Sequence, residues 1–413
     1  MKIVTTLFLA LAMAPQAASI FPKALPQELK FPAYGQQNTM IVNEDRRGTW
    51  TFLAGGWNGL VQFQGYEYSG SPKTWSEKWD SKTLSQIDFP LGVMGLARSN
   101  SLFMAVGNSQ NKTSYLAEAP RYAISTDGLT WTTHAGTVPG WMMSLAYGNG
   151  TWVGTGYEAT RIGYRVGQIQ YSKDDGATWH AVMLGDGETL FKACWNGSLW
   201  VAVGEKRTAA LGNPLMETRI YTSPDGATWT LQSSPGAVNL NSVVWGHGKW
   251  VAVGESFPYR GAPYPVILNS IDGFTWTEVT PKNSNEGGFL SDVDTTLFGF
   301  VAVGHRRVIH SYDGVQWEPV YAAPQVTFRA VKTTPFEREG SRLYLLADTG
   351  RAFQDTLPEI AGISGLRGAG RPSNTPAHRS IDPLSVLRFV GAPNQGHFLD
   401  ASGRRLLGTP HRR

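Results

Sequence analysis

The tetrapeptide VAVG occurs three times in the chain, and each copy is followed by a polar side chain: Glu205, Glu255 and His305. A glycoside hydrolase needs two facing carboxylates, one as a proton donor and one as a base or nucleophile. Carboxylate and imidazole groups also hydrogen-bond readily to a bound ligand. Glu205, Glu255 and His305 are therefore candidates for catalysis or for ligand binding.

A second polar position precedes these segments. Counting back a fixed number of residues from each VAVG or diverged copy gives one position per repeat on the preceding strand. These positions are Gly95, Ser144, Lys192, Ser242, Asp292 and Arg329. For Arg329, in the last repeat, an insertion interrupts the count. Lys192, Asp292 and Arg329 supply charges of both signs. The sequence thus predicts one polar cluster formed by Lys192, Glu205, Glu255, Asp292, His305 and Arg329, which could hold a ligand.

Arginine and tyrosine are frequent in the segments that follow the tetrapeptides. The arginines include Arg161 and Arg219, which are candidate ligand contacts, together with Arg165, Arg207, Arg260, Arg306 and Arg307; the tyrosines are Tyr157, Tyr164, Tyr259 and Tyr264. Guanidinium forks and aromatic faces suit an anionic or sugar ligand. The alternative interpretation is that these are ordinary surface residues.

The elements that position these residues are repeats. VAVG-like segments occur seven times, as TWTFLAGG, LFMAVG, TWVGTG, LWVAVG, KWVAVG, GFVAVG and RLYLLAD. In the fifth repeat, turn residues separate four short apolar runs, at 241–245, 249–254, 265–269 and 275–279. Four antiparallel strands per repeat of 40–50 residues are typical of a propeller blade. The sequence predicts an all-β, seven-bladed β-propeller of four-stranded antiparallel blades.

This architecture has two consequences, one for closure of the ring and one for the place of binding. The seventh repeat has no fourth strand of its own, so residues around 28–32 are predicted to supply it and close the ring.

Because strands alternate in direction, the loops between second and third strands share one end of the propeller. They are long, at 108–121, 157–167, 205–219 and 255–265, so we expect binding at that end, where the polar cluster would ring the channel mouth.

A second motif closes five of the repeats, as STDGLTW, SKDDGATW, SPDGATW, SIDGFTW and SYDGVQW. Asp-Gly favours a tight turn, in which the carboxylate accepts backbone N–H groups and glycine adopts positive φ. The tryptophan is expected to pack between sheets. The residues predicted to build these serine–aspartate turns are Ser125, Asp127, Trp131, Ser172, Asp174, Trp179, Ser223, Asp225, Trp229, Ser270, Asp272, Trp276, Ser311, Asp313 and Trp317.

This motif resembles the Asp-box, or BNR repeat, of sialidase-like propellers. In that family the box is structural and lies at the end away from the active site. The resemblance implies, for a sialidase, three arginines on a carboxylate, a Tyr–Glu pair, an aspartate and an early Arg-Ile-Pro motif. The nearest match here is Arg161-Ile162-Gly163, which is displaced and lacks the proline. Xyloglucanases of this repeat class use two propellers, and this chain has one.

Two functions remain open. The first is a non-catalytic, carbohydrate-binding or scaffold propeller that recognises a glycan or a partner protein with its long-loop end. The alternative is a glycoside hydrolase of the sialidase-like class that uses carboxylates at the channel mouth. The sequence has no P-loop, dinucleotide fingerprint, HExxH or Cys/His spacing, so no cofactor or metal is predicted. Nucleic acid is not an expected partner, because the basic residues are concentrated outside the repeats.

The two ends of the chain differ from the repeats. Residues 1–19 read as a signal peptide, with Lys2 before an apolar run, and predict a secreted or periplasmic protein. Residues 20–357 are predicted to form the propeller, and 358–413 a flexible basic tail that could dock on an anionic surface. Residues 361–413 contain eight Arg and two Asp, hence a charge of +6.

The sequence predicts no membrane span. Its one cysteine, Cys194, cannot form a disulfide within the chain. The protein is expected to be a monomer.

Overall fold

The computed structural model describes only part of the chain. The described residues are 27–29, 37–44, 49–56, 59–66, 80–84, 89, 92–108, 118–161, 164–208, 215–236, 238–256, 263–280, 287–321, 326–336, 340–348, 352–358, 388–390 and 397–399. The predicted signal peptide, 1–19, lies outside them, as does most of the predicted tail. In these stretches no helix has the length and apolar character needed to cross a membrane.

The repeats form seven four-stranded antiparallel sheets, here called blades I to VII. Blade I comprises Gln37–Glu44, Thr49–Gly56, Gly59–Tyr66 and Asp80–Leu84; blade II, Val93–Arg98, Phe103–Gly107, Arg121–Ser125 and Thr132–Ala135; blade III, Trp141–Gly148, Thr151–Arg161, Tyr164–Ser172 and His180–Asp186; blade IV, Glu188–Trp195, Trp200–Thr208, Leu215–Ser223 and Thr230–Leu231; blade V, Val238–Gly246, Lys249–Ser256, Tyr264–Ser270 and Thr277–Glu278; blade VI, Leu290–Thr296, Gly299–Gly304, Arg307–Ser311 and Glu318–Pro319.

Blade VII closes the ring as the sequence predicts. Its strands Phe328–Phe336, Gly340–Ala347 and Ala352–Pro358 are completed by Gln27–Leu29, which pairs with the third of them. The first strands of neighbouring blades contact one another in a closed circuit that includes blades VII and I. The chain is therefore a seven-bladed β-propeller. Pairing Gln27–Leu29 with the third strand of blade VII leaves no open sheet edge where the ring closes.

The chain divides into two compact units, Met1–Ala361 and Gly362–Arg413. The first unit contains the propeller. In the second, Arg388–Val390 pairs antiparallel with His397–Leu399. The domain boundaries expected after residues 19 and 357, and the docking of the tail on an anionic surface, stay predictions.

The apolar core lies between successive blades, because each blade packs against a neighbouring blade on both of its faces. The VAVG strands supply most of it: Val201, Ala202 and Val203 are fully buried, and so are their counterparts in blades V and VI. Trp152, Trp200 and Trp250 occupy the same place at the start of the second strand and are also completely buried. Burying whole tryptophan side chains contributes strongly to the hydrophobic stabilisation of the ring.

The glycine of VAVG is required by a close backbone approach. A Cβ atom at Gly204 would meet the carbonyl oxygen of Thr189, and one at Gly254 would meet that of Asn239. The approach coincides with a β-bulge in each first strand, where the register shifts at Leu190/Lys192 and Leu240/Ser242. All seven first strands carry this bulge, which redirects one side chain per blade.

Two predicted loops are shorter than expected. In blade III the second and third strands stay paired as far as Arg161 and Tyr164, so most of 157–167 is hairpin. In blade IV the pairing continues to Thr208 and Leu215. Residues 157–167 contain two Tyr, one Thr, one Ile and one Val, which favour strands. In both blades the ladder extends through residues that we expected to be loop.

The five serine–aspartate turns share three hydrogen bonds: the serine Oγ donates to the aspartate Oδ1 and accepts the glycine N–H, and the aspartate accepts the N–H of the residue before the tryptophan. In blades II, IV, V and VI the aspartate also accepts the N–H of the residue after the glycine. In blade IV, Ser223 Oγ donates to Asp225 Oδ1 at 3.1 Å and accepts the N–H of Gly226 at 2.9 Å. Asp225 Oδ1 also accepts the N–H groups of Ala227 and Thr228, at 2.9 and 2.8 Å. Gly226 has φ of 76°, and glycines in the other four turns also have positive φ. The tryptophans pack between consecutive blades.

Asp225→Ala is expected to lower the free energy of unfolding by about 1–3 kcal/mol, because two backbone donors and one hydroxyl lose a charged acceptor. Urea unfolding measures the change. Pro224→Ala, at an exposed neighbour, is the matched control and should cost less than about 1 kcal/mol, the entropic effect of losing a turn proline. Ligand binding should not change, and its loss in a fully stable Asp225→Ala protein would contradict the structural role of the turns.

Candidate functional site

The first strands of all seven blades surround a central cavity of about 590 Å³. The bulges decide which side chains line it. The cavity-lining residues that occupy bulge positions are Met94, Met143, Phe191, Asn241, Ser291 and Arg329. Side chains beside the bulges, Lys192 and Asp292 among them, line it as well. The repeated bulge therefore builds a channel with apolar, amide, hydroxyl and charged groups on its wall.

Asp292 is the centre of a buried hydrogen-bond network that joins four blades. Lys192 Nζ donates to Asp292 Oδ1 and, at 3.0 Å, to Ser242 Oγ. Ser242 Oγ donates to the same carboxylate oxygen at 2.7 Å, and the Val331 N–H donates to Oδ2 at 3.0 Å. Burial alone would raise the pKa of Asp292, but the charges of Lys192 and Lys332 hold it below its usual value. The carboxylate of Asp292 is thus ionised, and its network of hydrogen bonds is structural.

This network also limits nucleophilic chemistry. A serine beside a lysine is an arrangement that can attack an acyl group when the lysine is a free base. Here Lys192 is committed to a carboxylate, and Ser242 is 0% exposed. A second ion pair lies nearby, where Lys332 Nζ is 3.4 Å from Asp294 Oδ1. These groups fix the blades relative to each other and leave no activated nucleophile among them.

Glu205 and Glu255 lie near each other at the long-loop end, as their common place after VAVG predicts. Glu205 is 1% exposed, and its Oε1 is 2.6 Å from Arg207 Nε. Burial raises the pKa of Glu205 against the charges of Arg207 and Arg165. Burial also raises the pKa of Glu255, and the neighbouring Glu205 adds to the rise. One of the two acids is therefore enclosed and ion-paired.

Glu255 is the accessible member of the pair. It lines the cavity and accepts one hydrogen bond, from Asn239 Nδ2 at 3.2 Å. The charges of Arg207 and Arg329 act on it and oppose the rise of its pKa. Guanidinium charges thus act on both acids: those of Arg207 and Arg165 on Glu205, and those of Arg207 and Arg329 on Glu255. We call the cluster of Glu205, Arg207, Glu255 and Arg329 the channel mouth.

Arg329 contributes unused hydrogen-bonding capacity to the channel mouth. Its guanidinium lies over the ring of Phe289, 5.5 Å from the centroid, and its buried Nε has no hydrogen-bond partner among the residues that the structure describes. His305 is close by: its ring centroid lies 5.9 Å from that of Phe289, and Nδ1 is 3.2 Å from Thr327 Oγ1. In blade VII the bulge assigns Arg329 to the position of Ser291, and Ala330 is the counterpart of Asp292. The count from the sequence was wrong there by one residue. The bulge is common to all seven blades, so the difference lies in the insertion that interrupts the spacing in the last repeat.

An aromatic stack extends the channel mouth towards blade III. The rings of Trp141 and Tyr157 are parallel within 4°, with centroids 5.9 Å apart, and Arg165 lies 4.6 Å from the centre of Tyr157. Cation–π contact and stacking hold Arg165 in place. Burial raises the pKa of Tyr157, with Arg165 opposing the rise. Tyr157 therefore acts as a neutral platform at this end.

Other predicted residues are used elsewhere. Arg219 is 8% exposed, and its guanidinium donates to Glu188 Oε1 at 2.6 Å and to Glu217 Oε2 at 2.8 Å. Tyr221 also donates to Glu188, so Arg219 serves a buried structural pair. The backbone of Arg161 pairs with Tyr164 at the end of the blade III hairpin. The structure thus brings Lys192, Glu205, Glu255, Asp292, His305 and Arg329 to the channel and its mouth.

Sequence reasoning missed the cavity-lining amides, hydroxyls and aromatic rings at the bulges. Asn241 and Ser291 each lie one residue before a position that we counted, and Phe289 lies below Arg329. The glycine that ends each VAVG segment was the available signal, since it marks the close approach at the bulge.

Comparisons with known proteins give only distant likenesses. No protein-family model matches the chain, and no curated protein matches it. Among solved structures, Sqt1 from Saccharomyces cerevisiae is 8% identical, with 82% of this chain and 100% of that chain covered and a TM-score of 0.47. A protein of unknown function from Dyadobacter fermentans DSM 18053 is 15% identical, with 72% and 96% covered and a TM-score of 0.44.

A sialidase from Trypanosoma rangeli, in complex with the inhibitor DANA, is also similar. It is 12% identical, with a TM-score of 0.40, and the match covers 69% of this chain and 54% of the sialidase. All three TM-scores are below 0.5, so none of these likenesses carries an argument about function. The chain is a seven-bladed β-propeller on the pairing of its own strands.

Proposed function

We propose that this protein is an exported binding protein that recognises a glycan at the channel mouth, at the long-loop end of the propeller. The observation that carries the proposal is unused hydrogen-bonding capacity beside a cavity of about 590 Å³. Among the described residues, Glu255 accepts one hydrogen bond, from Asn239, and the guanidinium of Arg329 belongs to a residue that lines the same cavity. Hydroxyl groups of a sugar can donate to the carboxylate of Glu255 and accept from the guanidinium of Arg329.

Aromatic side chains support a glycan as the ligand. Tyr164 and Tyr264 are 56% and 38% exposed, and each begins a third strand, at the same end as the channel mouth. Their rings, with Tyr157, offer apolar faces beside polar groups, which suits the mixed surface of a sugar ring. A partner protein is the competing ligand, because the same groups could contact polar side chains.

One observation favours the alternative, a glycoside hydrolase. Glu205 and Glu255 interact electrostatically, and two interacting carboxylates are what that chemistry needs. However, Glu205 is enclosed and ion-paired with Arg207. A carboxylate in that setting is poorly placed to reach a glycosidic bond, so binding without hydrolysis is the function that we favour.

We further propose that the serine–aspartate turns are Asp-boxes and that the chain is a non-catalytic relative of the sialidase-like propellers. The common hydrogen-bond pattern of the five turns supports this proposal. Export rests on the sequence of residues 1–19, and fractionation of the host cell tests it. Both assignments are independent of the ligand.

The test of function is to incubate the protein with a panel of immobilised glycans and to read retention and released products together by mass spectrometry. We expect retention of at least one glycan with no product. Release of a shorter glycan that Glu255→Gln abolishes would replace our proposal with the hydrolase. Absence of both retention and product would refute a glycan ligand and direct attention to a partner protein.

A further inference from the structure

The end of the propeller opposite the channel mouth exposes large apolar side chains in two adjacent blades. The serine–aspartate turns lie at this end, because they connect third strands to fourth strands. In blade V, Ile271 is 80% and Phe274 48% exposed; in blade VI, Tyr312 is 38% and Val315 36% exposed. We call these four residues the turn patch. Clustered apolar surface of this kind is a common mark of an interaction site.

The turn itself does not require these side chains. Its hydrogen bonds come from serine, aspartate, glycine and the backbone, and its packing comes from the tryptophan. The corresponding positions in blade IV are Pro224 and Ala227, and that turn has the same hydrogen bonds. The apolar residues of blades V and VI therefore need an explanation other than the stability of the turn.

Direct contacts hold the two turns side by side. Asn269 Nδ2, beside the blade V turn, donates to the Gly314 carbonyl at 3.4 Å. Lys249 Nζ, at the start of the second strand of blade V, donates to the Asp313 carbonyl at 2.6 Å. The blade VI turn thus rests against blade V, and the four apolar side chains lie on neighbouring turns at one end of the propeller.

The surroundings of the turn patch are acidic. Asp272, Glu278, Asp313 and Glu318 are exposed on the same two turns and their fourth strands. Backbone N–H groups, that of Thr275 foremost, hold the pKa of Asp272 below its usual value. Burial raises the pKa of Tyr312, and the nearby charge of Glu318 adds to the rise. Residues 270–278 and 311–319, all of them described, contain no lysine or arginine, and Lys249 contacts the blade VI turn from the second strand of blade V. On these two turns and their fourth strands the negative charges therefore predominate.

We propose that the turn patch docks an amphipathic segment of a partner protein that carries apolar residues together with lysine or arginine. The apolar side chains of the segment would cover Ile271, Phe274, Tyr312 and Val315, and its cations would meet the surrounding carboxylates. Charge complementarity favours this partner over an acidic or neutral one, and it also steers the encounter. The propeller would then carry two binding ends, one at the channel mouth and one at the turns.

The test uses the full chain and three immobilised synthetic peptides. The first is an amphipathic peptide of leucine and lysine, the second has glutamate for lysine, and the third has serine for leucine. We expect the protein to bind the first peptide, with weakening at high salt. Ile271→Ser combined with Phe274→Ser should weaken that binding at least about tenfold, since exposed anchors of this size carry much of such an interface.

Matched variants separate this surface from general stickiness. Leu129→Ser changes the same turn position in blade II, where Leu129 is 39% exposed, and should leave binding unchanged. Glu278→Gln with Glu318→Gln should weaken binding of the leucine–lysine peptide without lowering the melting temperature. Equal binding of the acidic peptide, or equal loss with Leu129→Ser, would overturn the proposal. Concentration-dependent self-association that Ile271→Ser with Phe274→Ser removes would assign the patch to a second copy instead, and so would also overturn it.

Discussion

Lys192→Met is expected to lower the free energy of unfolding by about 3–5 kcal/mol, because it leaves the carboxylate of Asp292 buried without its cation. Asp292 is 7% exposed and connects blades IV, V, VI and VII through Lys192, Ser242 and the Val331 N–H. Removing the ammonium group therefore weakens the centre of the ring. Urea unfolding followed by tryptophan fluorescence measures the loss.

The control for this variant is Lys173→Met, at an exposed lysine, which should change stability by less than about 0.5 kcal/mol. Asp292→Asn added to Lys192→Met should recover part of the loss, since no unpaired charge then remains. Because the folded-state pKa of Asp292 lies below its unfolded value of about 4, the stabilisation is present above that pH. It is lost as the pH falls through the folded pKa, so the wild type should lose its advantage over Lys192→Met in acid. A pH-independent difference, or one as small as that of Lys173→Met, would contradict the ion-pair account.

Trp250→Ala is expected to cost about 3–5 kcal/mol of stability, because the side chain is completely buried and leaves a large cavity. Trp250 packs in the core between blades IV and V, beside the blade V turn at Gly273. Thermal unfolding measures the effect. Trp245→Ala is the matched control: its ring lies 5.1 Å from that of Trp250 but is only partly buried. Equal losses for the two variants would show that burial does not decide their contributions.

Much of the fold could be predicted from the repeated VAVG and Asp-Gly-x-Thr-Trp segments, because each encodes local structure. Alternating apolar residues specify a strand, and Asp-Gly specifies a turn, so four strands per blade follow without long-range information. The closing strand also followed, since a seventh repeat without a fourth strand needs a partner. It is Gln27–Leu29, at the start of the predicted segment.

The site was harder to predict, because its geometry depends on contacts between blades. The candidates Lys192 and Asp292 were found, but their mutual pairing depends on the approach of blades IV and VI across the channel. Arg219 was an equally reasonable candidate until burial beside Glu188 gave it a structural partner. In blade VII the insertion in the repeat shifted the count by one residue, so that Arg329 occupies the bulge itself. Spacing along the chain specifies strands and turns. Register shifts and the choice of charge partners depend instead on tertiary contacts between blades, which spacing does not encode.

The central claim is that ligand binding resides at the channel mouth and not at the serine–aspartate turns. The most direct measurement is the binding isotherm of the best-retained glycan to four proteins: wild type, Glu255→Gln, Arg329→Met and Asp225→Ala. We predict that each mouth variant weakens binding at least about tenfold, as expected for loss of a charged hydrogen bond, while Asp225→Ala binds as tightly as wild type. Unchanged affinity in both mouth variants, or loss of binding in folded Asp225→Ala, would contradict the claim.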